Sequence, residues 1–230
     1  MSLIDTNSLE KNLQKIKIID CSWHMPVTNR NGFEEYKKQH IESAIFFDLD
    51  KNSEKNTDLP HMLTDKNSWE KIVSNMGIKN EDEIVVYDNS DVISSCRCWY
   101  NFIYFGHNPK LVHVLNGGLK KWKKEKKPLT NNITKNPKSH YIAKEKKELV
   151  KDKSQIDQNV STNQFQVIDA RSRERFEGKV SEPRQGLRSG SIKNSFCLPF
   201  SELINIDGTF ISKDKILEKF KSTKCQLNEK

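Results

Sequence analysis

The chain concentrates its arginines in one short stretch. Of its 230 residues, 39 are lysine or arginine, but only seven are arginine, and five of those seven fall between 171 and 188. A guanidinium group is planar and can hold a carboxylate through two parallel hydrogen bonds, which a lysine ammonium cannot reproduce. In a chain so rich in lysine, this cluster indicates a geometric requirement and makes these arginines candidate ligands of an anionic group. The alternative is that they are solvated surface side chains.

Five cysteines are the other candidates for chemistry: Cys21, Cys96, Cys98, Cys197 and Cys225. Their odd number and irregular spacing, with no export signal at the N-terminus, argue against a disulfide framework. Cys96 and Cys98 are the only close pair, and no second pair or His-x-x-His motif follows, so a structural zinc site is not expected. We expect reduced thiols in a cytoplasmic protein and no bound metal.

The charge balance does not by itself indicate a polyanionic partner. The formal net charge is +8, but the lysines spread along the chain, whereas nucleic-acid-binding proteins cluster arginine and aromatic residues on one face. We therefore expect no nucleic-acid partner. No apolar run approaches the ~20 residues that a membrane-spanning helix needs, so we expect no membrane association.

Short β-rich runs alternate with helix-like stretches in the first half of the chain. Glu83–Asp88 has the composition of a buried strand, and apolar residues at 69, 72, 73 and 76 have helical spacing. This alternation predicts an α/β fold with a parallel sheet flanked by helices. Further strands are expected at 15–20, 44–48 and 111–115, and further helices at 32–40, 94–105 and 117–122.

The pattern begins again after a segment that is poor in apolar residues. Gln166–Ala170 resembles Ile18–Cys21 at an offset of 149 residues, and Ile192–Cys197 resembles Ile41–Phe46 at an offset of 151. Correspondences at nearly one offset indicate a tandem duplication. We expect an N-terminal domain over 1–138, a linker over 139–160 and an incomplete second domain over 161–230.

Long, ordered motifs run from residue 16 to the end of the chain. The first half carries IIDCSWHMP, HIESAIFFDLD, VVYDN, WYNFIYFGHNP and VLNGGLKKW, and the second carries DARSRERFEGKVSEPRQGLRSGSI followed by LPFSEL. These motifs resemble the N-terminal domain and the start of the catalytic C-terminal domain of the tandem-rhodanese sulfurtransferases. Within that family, Glu182-Pro183-Arg184 is similar to the 3-mercaptopyruvate branch rather than the thiosulfate branch.

The resemblance implies two tandem rhodanese-like domains with parallel sheets flanked by helices, the second domain incomplete. It implies transfer of sulfur from 3-mercaptopyruvate, through a cysteine persulfide, to a thiol or cyanide acceptor, with release of pyruvate. No cofactor is implied, and a thiol acceptor such as thioredoxin is a possible partner. The family's nucleophilic cysteine lies in a loop after the next strand. We therefore expect it past Lys230, expect Cys225 to lie too early, and expect the 230-residue chain to be inactive.

The resemblance also implies roles for individual residues. Arg175 and Arg184 match arginines that bind the donor carboxylate. Asp50 and His61 match an acid and a histidine that are proposed in the family to handle protons together with a serine of the catalytic loop. The alternative for His61 is a capping or surface residue. After Val-Val-Tyr-Asp the first half continues with residues 89–91, Asn-Ser-Asp, without a cysteine, so it resembles the family's non-catalytic copy.

Two other functions stay open at this point. One is a thiosulfate sulfurtransferase, which uses a different donor on the same fold. The other is a catalytically inactive rhodanese pair that acts as a binding or regulatory module. A reading frame past codon 230 that encodes a strand and a cysteine-containing loop would support an enzyme, whereas a stop codon would support the module.

Overall fold

The chain folds as two units, Met1–Leu149 and Val150–Lys230. The structure is a computed structural model that describes residues 2–184 and 186–227. The first unit contains strands β1 (Leu3–Ile4), β2 (Lys17–Asp20), β3 (His40–Ile41), β4 (Ile45–Phe46), β5 (Ile84–Tyr87), β6 (Val112–Leu115) and β7 (Leu129–Thr130). Its helices are α1 (Thr6–Glu10), α2 (Gly32–Lys38), α3 (Lys66–Asn75), α4 (Ser94–Tyr104) and α5 (Gly118–Lys124).

Five strands of the first unit form a parallel sheet in the order β1-β6-β5-β2-β4. Strand β5 lies at its centre, with Val85 paired to Ile18 of β2 on one side and to His113 of β6 on the other. All four residues of β5 are 0% exposed, as expected for a strand covered on both faces. The predicted α/β fold with a parallel, helix-flanked sheet is confirmed.

Aromatic side chains fill much of the core beneath α3 and α4. Trp69 of α3 is 0% exposed, and its ring stacks on Phe105 with 4.7 Å between the centroids. Phe102 of α4 meets the same indole edge-on at 5.1 Å. Trp69 belongs to the apolar, helically spaced set at 69, 72, 73 and 76, as expected because a helix on a sheet buries one stripe of its surface.

Residues 137–149, which we call the strap, lack regular secondary structure up to Lys146, end in one 3-10 turn at Lys147–Leu149 and pack back on the first unit. Tyr141 in the strap is only 2% exposed. Successive backbone N–H groups of the strap, those of Ser139, Ala143, Lys144 and Lys146, donate to the Ser74 carbonyl, the Glu70 carboxylate and the Phe105 and Tyr104 carbonyls, at 2.8–2.9 Å. The sequence interpretation placed a linker over 139–160. In the structure this stretch is divided between the strap and a helix that begins at Lys153.

The second unit repeats a strand pairing of the first. Its elements are α6 (Lys153–Thr162), β8 (Val167–Asp169), α7 (Arg173–Phe176), β9 (Ser195–Cys197) and α8 (Lys213–Ser222). Strand β8 pairs in parallel with β9, joining Asp169 to Cys197, just as β2 pairs with β4 and joins Asp20 to Phe46. The carbonyl of Asp169 accepts from the next residue along, Leu198, at 3.0 Å, and that of Asp20 accepts from Phe47 at 2.8 Å. The corresponding residues of the two pairings are separated by the same offsets as in the sequence, 149 residues from Asp20 to Asp169 and 151 residues from Phe46 to Cys197.

Candidate functional site

Asp50 and His61, paired on the basis of the resemblance, are in contact in the loop between β4 and α3. The His61 Nε2 atom lies 2.8 Å from the Asp50 Oδ1 atom. The Asp50 side chain is 66% exposed and that of His61 is 20% exposed, so the pair lies at the surface with the imidazole partly covered. A hydrogen-bonded acid orients an imidazole and can balance its charge during proton transfer.

Two further side chains hold this pair in place. The indole N–H of Trp23 donates to both carboxylate oxygens of Asp50 at 3.1 Å, and the Trp23 ring meets the His61 ring edge-on, 4.8 Å between centroids. Arg97 donates to the His61 carbonyl. His61 has a φ of +57°, a conformation that costs a non-glycine residue about 1 kcal/mol or more, so these contacts offset a local backbone cost. The sequence analysis missed Trp23 as a supporting residue, although it lies in the IIDCSWHMP motif.

Backbone N–H groups of the loop after β5 and of the first turn of α4 donate to nearby side chains, including the Ser22 hydroxyl, which accepts from the Asn89 amide at 2.9 Å. Asp88 accepts from the Ser90 amide at 2.9 Å and from the Ser95 amide at 2.8 Å. The Ser90 hydroxyl accepts from the Ser94 amide at 3.1 Å. A ring of such amides could otherwise stabilise a thiolate or a persulfide anion. An internal carboxylate takes that place here, which fits the absence of cysteine from residues 89–91.

Asp20, at the end of β2, has a buried carboxyl group that stays partly protonated near pH 6. It is 1% exposed, and its Oδ1 atom accepts from the Ser22 amide at 2.9 Å and from the Ser22 hydroxyl at 2.6 Å. Burial raises the pKa of Asp20 to about 6, and the bonds from Ser22 oppose that rise. The folded state therefore binds a proton that the unfolded chain has already lost between pH 4 and pH 6.

The substitution Asp20→Asn should remove this pH dependence. As pH rises from 4 to 6 the wild-type protein loses stability relative to the variant, because the raised pKa makes ionisation of the folded state unfavourable. The difference in unfolding free energy should grow by about 1–3 kcal/mol over this range and stay constant above it. Urea denaturation followed by circular dichroism at several pH values measures this difference. A difference that does not change with pH would contradict the assignment.

Asp65 offers a matched control for that experiment. Its carboxylate accepts from the amides of Asn67 and Ser68 at the start of α3, at 2.8 and 3.1 Å, and hydrogen bonds from Ser68 lower its pKa. A lowered pKa in the folded state contributes stability that is lost as pH falls. The variant Asp65→Asn should therefore lose stability relative to wild type as pH rises, the opposite sign from Asp20→Asn.

Three of the cysteines are held as thiols. Cys21 is 2% exposed, and burial, followed by the neighbouring Cys98 thiol, raises its pKa well above the usual range. Burial raises the pKa of Cys96 to about 12. Burial also raises the pKa of Cys197, although Arg173 opposes the shift. Since the thiolate is the reactive form, none of these three is an activated nucleophile near neutral pH.

In the second unit, Arg175 belongs to a network of four charged side chains. From helix α7 it donates through Nε, at 3.2 Å, and through Nη2 to the carboxylate of Glu182. Arg171 donates to the same carboxylate at 2.8 Å and through its Nε to Asp169 at 3.0 Å. The Glu182 side chain is 3% exposed and that of Arg175 is 31% exposed. The structure thus places Arg175 on a buried partner with one side open to solvent.

Arg184, the second predicted donor ligand, lies outside this network. It is exposed, and within residues 2–184 and 186–227 no carboxylate forms an ion pair with it. Its guanidinium group is therefore available to a ligand. The sequence analysis named Glu182 only as part of the Glu182-Pro183-Arg184 motif and did not predict it as the partner of Arg175.

Two other features, a metal-binding cluster and a membrane-spanning helix, are absent from the described ranges. No group of three histidine, cysteine, aspartate or glutamate side chains there is placed to hold a metal ion. Nor does any helix in the same ranges have the length and apolar character needed to span a membrane.

Comparisons with known proteins bear on this arrangement. The family model described as "Rhodanese-like domain" matches residues 5–125. The mitochondrial thiosulfate/3-mercaptopyruvate sulfurtransferase 1 of Arabidopsis thaliana is 34% identical over 251 residues, with 99% of this chain and 65% of the plant protein covered. This chain thus spans just under two thirds of that relative. The 3-mercaptopyruvate sulfurtransferase of Mus musculus is 31% identical, with 94% of this chain and 73% of the mouse protein covered.

Thiosulfate sulfurtransferases are similar to the same extent. That of Gallus gallus is 33% identical, with 93% of this chain and 73% of the chicken protein covered. Among solved structures, the 3-mercaptopyruvate sulfurtransferase SseA from Escherichia coli superposes with a TM-score of 0.89 at 27% identity, covering 98% of this chain and 85% of SseA. Sequence identity therefore does not separate the two donors.

Proposed function

This chain belongs to the rhodanese family, and on that premise we propose that it serves as a sulfurtransferase with 3-mercaptopyruvate as the sulfur donor. The relatives named as sulfurtransferases support the enzyme class. The observation that carries the choice of donor is the arginine arrangement of the second unit. Arg175 has one side open to solvent, and Arg184 is exposed without an ion-pair partner in the described ranges. Two guanidinium groups suit a donor that carries a carboxylate.

The proposed reaction balances in two steps. A cysteine thiolate attacks the sulfur of 3-mercaptopyruvate, the carbon–sulfur bond breaks, and the carbon keeps the bonding electrons as the enolate of pyruvate. A proton converts this enolate to pyruvate, and the cysteine is left as a persulfide. A thiol acceptor then takes the outer sulfur and regenerates the cysteine. The role we propose for Asp50 and His61 is in the handling of these protons.

The nucleophile in this proposal is not one of the cysteines of the 230-residue chain. The raised pKa values of Cys21, Cys96 and Cys197 support this for three of the five cysteines of the chain. The test has two parts: binding of 3-mercaptopyruvate by isothermal titration calorimetry, and release of pyruvate in the presence of a thiol. We expect binding without pyruvate release. Absence of binding would contradict the proposed donor, and release that is abolished by a Cys→Ser substitution would identify a nucleophile within this chain.

The choice between donors depends on Arg184. Thiosulfate has no carboxylate and makes less use of a second guanidinium group, so Arg184→Ala should weaken binding of 3-mercaptopyruvate by up to about 10-fold and change thiosulfate binding less. Calorimetric titrations with both donors give the ratio of the affinity for 3-mercaptopyruvate to the affinity for thiosulfate. Arg188→Ala, which removes another exposed arginine of the same segment, is the control. An unchanged ratio would favour a thiosulfate sulfurtransferase.

The setting of the reaction is also part of the proposal. We place the protein in the cytoplasm, with a small-molecule donor and a thiol acceptor such as thioredoxin, and without nucleic-acid or membrane partners. The plant relative is named as mitochondrial, so organelle fractionation is the measurement that distinguishes the two compartments.

A further inference from the structure

Glu182 is a buried acid with two cationic partners. Its side chain is 3% exposed, and its carboxylate accepts from Arg175 on one side and from Arg171 on the other. Arg175 is the main cause that lowers the pKa of Glu182. A carboxylate this well covered needs such partners, because an unpaired buried charge is costly.

The way in which Arg175 meets Glu182 leaves part of its guanidinium group open. A guanidinium group has five N–H donors in one plane, and two parallel bonds to a carboxylate use one edge of it. Arg175 turns the edge formed by Nε and Nη2 toward Glu182. Within residues 2–184 and 186–227 no acceptor takes its Nη1 atom. The second edge can therefore bind a second carboxylate without displacing the first.

Arg171 fixes the acid itself to the sheet. It donates to Asp169 at the end of β8, to Glu182 and to the carbonyl of Gly190 at 2.8 Å. The order of charges is Asp169, Arg171, Glu182, Arg175, which alternates in sign and sums to zero. The orientation of Arg175 thus depends on a chain of contacts that begins at the end of a strand.

We propose that Glu182 is a positioning residue for the sulfur donor, which holds Arg175 by one edge and aims its other edge at the donor carboxylate. This inference rests on the proposed function, because it takes Arg175 as the donor ligand. A guanidinium group that is already oriented loses less conformational entropy when the ligand arrives.

The variant Glu182→Gln tests this in the 230-residue chain. It keeps the size of the side chain and one acceptor oxygen, but it removes the charge and presents an N–H₂ group to the arginines. We expect binding of 3-mercaptopyruvate, measured by calorimetry, to weaken by about 10-fold. Glu202→Gln is the matched control, because Glu202 also pairs with two cations, Arg173 and Lys219, and should change binding less than about 2-fold.

A double-mutant cycle separates positioning from a merely structural role. If Glu182 acts through Arg175, the Glu182→Gln change should have no further effect on binding in an Arg175→Ala background. An equal loss in both backgrounds would overturn the proposal and assign Glu182 to folding alone. If Glu182→Gln fails to fold by circular dichroism, Glu182→Asp takes its place in the same cycle, since it keeps the charge but withdraws the carboxylate by one methylene.

The remaining outcomes are also distinct. If the wild-type chain binds 3-mercaptopyruvate and the Glu182→Gln variant binds it equally well or more tightly, the inference is overturned but the proposed function stands. Tighter binding by the variant would mean that Glu182 competes with the donor for Arg175. Absence of donor binding by the wild-type chain would overturn the proposed function itself.

Discussion

Replacement of Arg175 by alanine is expected to weaken binding of 3-mercaptopyruvate by about 30-fold or more. Removal of one of two groups that bind a carboxylate leaves the ligand charge underpaired, which typically costs about 2–5 kcal/mol, or a factor of ten for every 1.4 kcal/mol. The loss should be larger than for Arg184→Ala, because Arg175 is held in place by Glu182 whereas Arg184 is exposed. Arg175→Lys should restore only part of the affinity, because an ammonium group cannot form the two-bonded arrangement.

Arg173 supplies the control for this prediction. It lies in the same short helix, two residues before Arg175, and pairs with Glu202 through its Nε at 2.9 Å. Arg173→Ala removes the same charge from the same helix and should leave donor binding nearly unchanged. Equal losses in the two variants would mean that net charge, and not the position of Arg175, determines affinity.

Replacement of Trp69 by alanine is expected to lower the unfolding free energy of the first unit by about 3–5 kcal/mol. The indole is 0% exposed, is stacked on Phe105 and has edge contacts with Phe102 and Phe47. Its removal takes away buried apolar surface and leaves a cavity among rings that are too rigid to fill it. Urea denaturation followed by far-ultraviolet circular dichroism measures the loss.

Trp99 is the comparison residue for the loss of an indole. It is half-buried and donates to the Val112 carbonyl at 3.2 Å. Trp99→Ala should cost about 1–3 kcal/mol, because less surface is buried. If both variants lost the same stability, the stacked cluster around Trp69 would not be a special contributor to the core.

Much of the first unit could be predicted from its residues. The alternation of buried runs with helical spacing led to strands at β2, β5 and β6 and to helices at α3 and α4, because repeated burial leaves a periodic pattern. The two-residue strands β1, β3 and β7 were missed, since a strand of two residues has no period. The strap was assigned partly to a linker for a related reason. Its backbone donates to the Glu70 carboxylate and to carbonyls at the C-terminal ends of α3 and α4, and such bonds leave no apolar repeat in the sequence.

The site residues show a different limit. The contact between Asp50 and His61 crosses an irregular loop, and only the resemblance to a family suggested it. The arginine cluster was visible in the composition, but the partner of Arg175 was not, because an acid seven residues away in a loop can face any direction. Periodicity locates elements of secondary structure. These ion pairs depend instead on the path of the loops that carry Asp50, His61 and Glu182.

The strap gives the first unit a weak end under mechanical tension. A force applied to the chain at Val150 acts first on the hydrogen bond of Lys146, then on that of Lys144 and then on that of Ala143. These bonds therefore break one at a time and do not resist the force together. The bonds of Tyr141, Ser139 and Asn136 to α3 and to the Met76 carbonyl after it bear load next. The two-residue pairing of β7 with β3 is loaded only after these have broken. Release of residues 137–149 would lengthen the free chain by up to about 45 Å. The first unit can thus extend at its C-terminal end while its strands remain paired, although release of the strap exposes the buried Tyr141.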